Sequence, residues 1–273
     1  MYSKKKLLSN KSLRWLALFF GLFILPVGCQ VAAHFGNADS HTPWSALRKD
    51  SSGQAPDPGI GRAVIQVYSA RAARWRGAFG VHTWMAVKKA DENRFTRIEV
   101  MGWTVRRGGK AVRVRQGLPD GWWYGNRPYL LRDVRGGEKI DALIDRLLTA
   151  AEHYPYNDVY NVWPGPNSNT FIAWLARQAP ELQLELPATA IGKDYLPAWN
   201  WLAPSPSGTG GQVSIGGLGG ILIGKEEGLE INLLGLTVGI DLMPLAIKLP
   251  GIGRIGWPDS QRWKSLHAEA SAL

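Results

Sequence analysis

Cysteine is almost absent from this 273-residue chain, and charged residues make up only 20% of it. The single cysteine, Cys29, excludes a small domain held together by disulfide bonds. A disordered chain is also excluded, because 45% of the residues are hydrophobic. The sequence has only one long uncharged apolar run, which argues against several membrane spans. No cysteine, histidine and carboxylate cluster has the spacing of metal ligands, so we predict neither a metal nor a cofactor.

Acidic residues are scarcer than basic ones, and the formal net charge is +10. Half of this excess lies in a short N-terminal head made up of Lys4, Lys5, Lys6, Lys11 and Arg14. The remaining surplus is too small to indicate a nucleic-acid partner. A basic head followed by an uncharged run rich in Leu and Phe is typical of a secretory signal or a membrane anchor. The membrane is therefore the first predicted partner.

Composition divides the chain into four segments. We predict a membrane anchor or signal over residues 1–35, a polar tether over 36–60, a single α+β domain over 61–257, and a tail over 258–273. Because positive charge stays cytoplasmic, the domain is expected on the periplasmic side of a bacterial inner membrane. Its substrate or partner in the cell envelope is unknown.

The end of the apolar run allows a second interpretation, in which the chain is a lipoprotein. Residues 25–29 read LPVGC, and Cys29 would then carry the lipid after cleavage. Pro26 departs from this pattern, since such a box usually has Leu at that position. The anchor is the preferred interpretation, and in both cases Cys29 is not an active-site thiol.

The spacing of apolar residues predicts the fold class of the domain. Strand patterns cover 63–68, 79–87, 96–103 and 111–115, and Gly-rich hairpin strands cover 212–223 and 228–240. Helical spacing predicts amphipathic helices over 139–153 and 169–177. The expected fold is α+β, with an antiparallel sheet, two main helices, C-terminal Gly-rich β-hairpins and an N-terminal membrane helix.

A polar loop runs directly into the second predicted helix at Asn167 and Ser168. A helix N-terminus presents unpaired N–H groups, which can stabilise an oxyanion or activate a nucleophile. Ser168 therefore occupies the position where a nucleophile would gain most. Spacing alone favours the alternative, in which Asn and Ser only cap the helix.

His82 is the most informative of the five histidines. It lies within an apolar predicted strand, on the same face as Trp84 and Ala86. An imidazole in this position is either a general base or acid near neutral pH, or a structural residue with a satisfied partner. The sequence leaves both interpretations open.

The order of these motifs resembles that of circularly permuted papain-like hydrolases. Residues 81–84 (VHTW) are similar to the histidine strand, and residues 167–171 (NSNTF) to the nucleophile elbow, of the lecithin retinol acyltransferase group and of NlpC-type peptidase relatives. This resemblance implies a permuted papain-like core and acyl chemistry. Ser168 stands where those families have cysteine, and serine is the poorer nucleophile because its hydroxyl is far from ionised at neutral pH.

A closer resemblance covers residues from about 60 to 256. The motifs VHTW, GNRP, WPGPNSNTF, AIGKDYL and NLLGL are similar to the bacterial family of domains of unknown function numbered 3750. This resemblance implies a bacterial envelope protein, without a particular activity.

The papain-like resemblance also implies the remaining site residues. Glu99 lies on the strand after the histidine strand, where those relatives place the residue that orients the imidazole. Asn161 is a second candidate for this role, and the alternative for Glu99 is a surface position beside Arg97. The candidates for oxyanion or substrate binding are Asn167, Asn169 and Asn161.

Two functions are compatible with these patterns. In the first, Ser168 attacks an amide or ester carbonyl while His82 takes its proton, as in a hydrolase or acyltransferase. In the second, the chain is an envelope binding or scaffold protein with a degenerate papain-like cleft and no chemistry.

Overall fold

The structure is a computed structural model that describes residues 10–36, 43, 45–197 and 199–257. The predicted tail, 258–273, and the lysines at positions 4–6 lie outside the described residues.

The N-terminal apolar run is helical throughout its described length. Helix α1 (Asn10–Phe19), a π-helical turn (Phe20–Ile24) and helix α2 (Leu25–Gly36) follow one another without a break. Residues 11–36 are long and apolar enough to cross a membrane, a test that a signal sequence near an N-terminus also passes. The predicted anchor or signal segment is therefore confirmed as an apolar helix. Cys29 is exposed on α2, and its lipidation stays a prediction.

The first sheet has five antiparallel strands in the order β4-β3-β2-β1-β5. The strands are β1 (Ala63–Arg71), β2 (Val81–Lys88), β3 (Thr96–Val100), β4 (Val112–Gln116) and β5 (Tyr129–Gly136). The first four were predicted. The predicted third strand continues too far, because a short helix, α3 (Gly102–Val105), begins at Gly102. Strand β5 was missed, because Arg and Asp interrupt its apolar pattern.

The two predicted helices are present, and both cover one face of this sheet. Helices α4 (Glu138–Glu152) and α5 (Ser168–Gln178) pack over it, and short 3₁₀ turns occur at Arg74–Ala78 and Pro180–Leu182. The main core joins Met85 and Ile98 of the strands to Leu147 and Phe171 of the helices.

The opposite face of the first sheet carries a smaller aromatic cluster. Tyr68 and Trp84 are fully buried there, and Trp123 packs against them. Strand β2 is consequently covered on both faces, which explains its nearly continuous apolar sequence.

The second sheet is a seven-stranded antiparallel meander in the order β12-β11-β10-β9-β8-β7-β6. Its strands are β6 (Leu202–Pro204), β7 (Gly210–Ile215), β8 (Gly219–Gly224), β9 (Gly228–Leu233), β10 (Leu236–Leu242), β11 (Leu245–Leu249) and β12 (Gly253–Gly256). The prediction of Gly-rich antiparallel strands is confirmed. The fold is α+β with antiparallel sheets, while the papain-like core stays a prediction.

Polar side chains join the second sheet to the rest of the domain. The Arg177 guanidinium donates to the Gln212 Oε1 at 2.8 Å, and the Trp163 indole donates to the carbonyl of Leu234 at 2.8 Å. Lys193 Nζ lies 2.5 Å from the Glu230 carboxylate. The bond from Trp163 fixes the β9–β10 turn, whose Leu234 lines the same cavity as Ser168.

A buried ionic cluster lies under the second sheet. Lys248 is 1% exposed, and its Nζ donates at 2.9 Å to Glu230 and lies 2.7 Å from Asp241. It also pairs with Glu185. Burial opposes the charge of Lys248, but these carboxylates outweigh it and raise the pKa of Lys248. Burial also raises the pKa of Glu185 to about 8, so this carboxyl carries a proton over much of the neutral range.

Part of the predicted tether lies on the domain. Asp120 is fully buried and accepts hydrogen bonds from Ser51 Oγ at 2.9 Å and from the Gln54 N–H at 2.8 Å. Gln54 also donates to the carbonyl of Pro128 at 2.9 Å. Residues 51–55 therefore hold the loop that positions the aromatic residues 122–124.

Candidate active site

A cavity of about 560 Å³ lies where β2 begins, β3 ends and α5 begins. Most of its lining is aromatic or aliphatic, and the second sheet contributes Leu234 and Leu236. His82 and Ser168 both line it, together with Asn167 and Asn169. The cavity thus has the volume and apolar character of a site for a small organic ligand.

Asn167, and not Ser168, caps helix α5. The Asn167 side chain accepts from the backbone N–H groups of Asn169 at 2.9 Å and Thr170 at 3.2 Å, and Thr170 completes a capping box. Ser168 is the first helical residue. The cap interpretation is therefore correct for Asn167 and wrong for Ser168. The Ser168 hydroxyl is not used to cap the N-terminus of the helix.

The amide groups of Asn167 and Asn169 tie loops together. Asn169 Nδ2 donates to the carbonyls of Val81 at 3.0 Å and Ile191 at 2.8 Å. Asn167 Nδ2 donates to the carbonyls of Val162 and Ile191, each at 3.0 Å. Both amides have thereby committed their two N–H groups, so they position the site and leave oxyanion binding to other donors.

Ser168 is 3% exposed and faces Tyr160. The Tyr160 hydroxyl lies close to the side chain and the backbone N–H of Ser168, and both residues line the cavity. Burial raises the pKa of Tyr160, so its hydroxyl keeps its proton and can donate a hydrogen bond. Among the described residues, no hydrogen bond joins Ser168 to His82.

His82 is held in an aromatic and ionic environment. Its ring stacks on Trp123, with centroids 3.9 Å apart and planes 8° from parallel. Its Nε2 lies 3.8 Å from the nearest Glu99 oxygen, beyond hydrogen-bond length, and has no other partner among the described residues. Because a carboxylate faces Nε2, we assign the ring proton to that nitrogen, which leaves Nδ1 as the basic one. Burial lowers the pKa of His82, although Glu99 opposes this effect.

Glu99 is fully buried, so its interpretation as a surface residue is wrong. Arg97 Nε donates to Glu99 Oε2 at 2.9 Å, and the Arg97 guanidinium lies 4.2 Å from the centre of the Trp84 ring. Burial by itself raises the pKa of Glu99. His82 and Arg97 outweigh this effect and lower the pKa to about 2. Glu99 is therefore a permanent anion behind the imidazole.

His82 and Ser168 approach the cavity from different sides of strand β2. Thr83, the next residue along the strand, faces α5 and donates through its hydroxyl to Asn169 Oδ1 at 3.0 Å. Successive side chains of a strand point to opposite faces, so His82 points towards Trp123 and away from α5. The cavity extends around the start of β2 and reaches both side chains.

The structure brings together some predicted site residues and adds others. Ser168 and His82 share a cavity, with Glu99 behind His82, whereas Asn161 is exposed and is not part of the lining. Sequence reasoning missed Tyr160 as the neighbour of Ser168. It also did not single out Trp123, because the stacking of Trp123 on His82 joins a loop to strand β2, which is distant in sequence, and no local pattern connects the two.

The buried carboxylate predicts a specific loss of stability in acid. The unfolded chain takes up a proton on Glu99 near pH 4.5, whereas the folded chain does so only near pH 2. The stability from this group is present above pH 4.5 and is lost as the pH falls, by roughly 3 kcal/mol in total. Burial also lowers the pKa of His82, so the contribution of this residue to stability likewise falls as the pH drops below its ordinary pKa of 6.5.

Denaturant unfolding of the full chain in detergent micelles, measured from pH 6 to pH 2, checks this expectation. Glu99→Gln should be less stable at neutral pH and should show a flatter pH profile below pH 4.5. Glu152→Gln, at an exposed glutamate ending α4, is the matched control and should retain the wild-type profile. A Glu99→Gln profile parallel to the wild type would contradict the assignment.

Comparison with known proteins places the site within a described family. Residues 62–195 match the family described as "Protein of unknown function (DUF3750)". No curated protein and no solved structure matches the chain. The matched segment contains His82, Glu99, Tyr160 and Ser168.

Proposed function

Residues 62–195 belong to the DUF3750 family of unknown function, and from this premise we propose that the chain is a membrane-anchored acyl-transfer enzyme of the bacterial envelope. Ser168 acts as the nucleophile, His82 as the general base and Glu99 as the residue that orients His82. The observation that carries the proposal is one apolar cavity shared by a helix-terminal serine and a carboxylate-backed imidazole. The reaction is hydrolysis or transfer of an ester or amide.

Each group has a defined part in the chemistry. Ser168 Oγ attacks the carbonyl carbon, and its proton passes through water in the shared cavity to His82 Nδ1, because the two side chains reach the cavity from different sides of β2. The carbonyl oxygen becomes an oxyanion, to which the Tyr160 hydroxyl and the Ser168 N–H donate. The tetrahedral intermediate expels its alcohol or amine with the proton from His82 and leaves an acyl-serine. Water or an acceptor then attacks the acyl-serine by the reverse steps.

The environment of His82 suits a general base. Because burial lowers the pKa of His82, the imidazole is neutral at neutral pH and can accept a proton. Glu99 stays ionised and stabilises the imidazolium that forms. The apolar lining favours a substrate with an acyl chain or another apolar group near its carbonyl.

Covalent labelling tests the proposal. The full chain in dodecyl maltoside is treated with an alkyl fluorophosphonate, in which the serine oxygen displaces fluoride from phosphorus, and the product is analysed by mass spectrometry. We expect one adduct on Ser168, none in Ser168→Ala, and wild-type labelling in Ser45→Ala, at an exposed serine outside the cavity. Equal labelling of Ser168→Ala, or an unlabelled Ser168 in the wild type, would contradict the proposal.

A second candidate function is ligand binding without chemistry. It is favoured by the contact of Ser168 with Tyr160, and by the side chains of His82 and Thr83 pointing to opposite faces of β2. In that case the wild type would take no label. A fatty acid would still raise its melting temperature, and bulk introduced by Leu236→Trp in the lining would reduce this effect.

A further inference from the structure

The second sheet has its polar side chains on the buried side and its apolar side chains on the outward side, the reverse of a sheet that faces water. Its buried side carries polar and charged residues, including Gln212, Glu230 and Lys248, whose exposures are 3%, 1% and 1%. Its outward side is aliphatic. In water an antiparallel sheet normally turns its apolar residues inward, so the outward side of this sheet calls for a separate explanation.

The aliphatic residues form continuous rows across the strands. Cross-strand pairing places Ile223, Leu229, Ile240, Ile247 and Ile255 side by side from β8 to β12. Each of these five residues is between 41% and 60% exposed. A second row joins Leu202, Val213, Ile221, Ile231 and Val238 from β6 to β10. No charged residue belongs to either row, and we call this surface the aliphatic face.

The buried side explains why the polarity is stable. Cross-strand pairing places Gln212, Glu230, Lys248 and Arg254 in one inner row, on β7, β9, β11 and β12. Their polar groups bond to one another, to Arg177 or to nearby carbonyls and carboxylates. Buried charges are tolerated when they are paired and hydrogen-bonded. The inward polar residues are thereby satisfied without water, while the aliphatic face remains uncovered within the described part of the chain.

We propose that the aliphatic face rests in the acyl layer of a phospholipid bilayer. The first support is its continuity with the N-terminal helix, which is long and apolar enough to cross a membrane. The turn at Gly251, between β11 and β12, approaches Val27 and Gln30 of that helix, and strand β10 contacts its π-helical turn. The sheet therefore lies beside the segment that would carry the chain to the membrane.

Tryptophans at both ends of the sheet provide a second support. Trp201 directly precedes β6 and is 60% exposed, and Trp257 directly follows β12 and is 71% exposed. Since β6 and β12 are the two edge strands, these rings flank the aliphatic face on opposite sides. Exposed tryptophan favours the interface between lipid headgroups and acyl chains.

Strand length determines how the face meets the bilayer. A spanning β-strand needs about 9–11 residues, and the strands of this sheet have 3 to 7. Its two edges are also open, which the centre of a bilayer does not tolerate. The sheet therefore lies along one leaflet, with its aliphatic residues inserted and its edges at the headgroup level. This inference is independent of the proposed catalytic function.

Fluorescence quenching on the full chain tests the inference. In a Cys29→Ser background, a bimane label is placed at Ile231→Cys on the aliphatic face. The matched control is Val114→Cys, at an exposed apolar residue (43%) on strand β4 of the first sheet. Both proteins are reconstituted in vesicles of phosphatidylcholine and phosphatidylglycerol at a ratio of about 3:1, with or without acyl-brominated phosphatidylcholine. Matching melting temperatures establish that both variants are folded.

We expect brominated lipid to quench the label at position 231 at least twofold and to leave the label at position 114 unchanged. Iodide in the buffer should quench only the label at position 114. Equal iodide quenching at both positions would overturn the inference. A label at 231 that neither quencher reaches, together with a disulfide between two copies of unlabelled Ile231→Cys, would also overturn it and show that a second copy covers the face.

Discussion

Replacing His82 with glutamine is expected to slow the acylation of Ser168 by about 10²–10⁴-fold, because the side chain that accepts the serine proton is removed. Glutamine keeps a polar side chain of similar size beside Trp123, so the effect reports proton transfer more than packing. The measurement is the pre-steady-state release of p-nitrophenol from p-nitrophenyl octanoate by the full chain in detergent. Ser168→Ala sets the background rate.

His153→Gln is the matched control. His153 caps the C-terminus of helix α4, where its Nδ1 contacts the Thr149 carbonyl at 2.8 Å, and it does not line the cavity. Its replacement should leave the rate unchanged. In the wild type the rate should fall with a midpoint below pH 6.5, because burial lowers the pKa of His82. A His82→Gln rate equal to the wild type, with the same pH dependence, would contradict a role as base.

The second large effect is expected for Lys248→Met, which should reduce the free energy of unfolding by roughly 3–5 kcal/mol. The substitution preserves length but leaves the carboxylates of Glu230 and Asp241 without their shared cation. The cost comes from buried carboxylates that lose one of their two cationic partners, since only Lys193 remains beside Glu230 and only Arg254 beside Asp241. Denaturant unfolding at pH 7 in detergent micelles measures it.

An exposed lysine pair provides the comparison for this prediction. Lys110 lies 2.6 Å from Asp158, but the two side chains are 65% and 71% exposed. Lys110→Met should therefore change stability by no more than about 1 kcal/mol. Adding Glu185→Gln to Lys248→Met should restore little of the loss, because the Glu185 carboxyl already carries a proton at pH 7. Similar effects of Lys248→Met and Lys110→Met would show that the cluster is not stabilising as described.

The sequence predicts those features that depend on local pattern. Strands β1 and β2 and helices α4 and α5 have clear periodicity, and the start of α5 is marked by a capping Asn in a polar loop. Strand β5 lacks such a signal, since its sequence, YLLRDVRG, alternates poorly. It becomes a strand because β1 offers it an edge, and pairing of this kind cannot be inferred from a single segment.

The candidate site shows the same division. His82 and Ser168 stand out in the sequence by residue type and position. The sequence does not predict how their side chains are oriented relative to each other. The burial of Glu99 depends on Arg97 and the aromatic cluster around Trp84, which come together only in the folded sheet. The polarity of the second sheet was visible in the sequence as alternation. Alternation shows that two faces differ, and only the structure shows which of them is inside.

The amide tie from Asn169 to Val81 has a consequence for biosynthesis. Its two ends are 88 residues apart in the chain. At a translation rate of about 5–20 residues per second, strand β2 leaves the ribosome roughly 4–18 s before the helix that holds its first residue. During that interval His82 and its aromatic neighbours exist without the opposite wall of the cavity. A ribosome-bound chain that stops before Asn169 should therefore expose this strand to chaperones and proteases, and a chain extended through α5 should protect it.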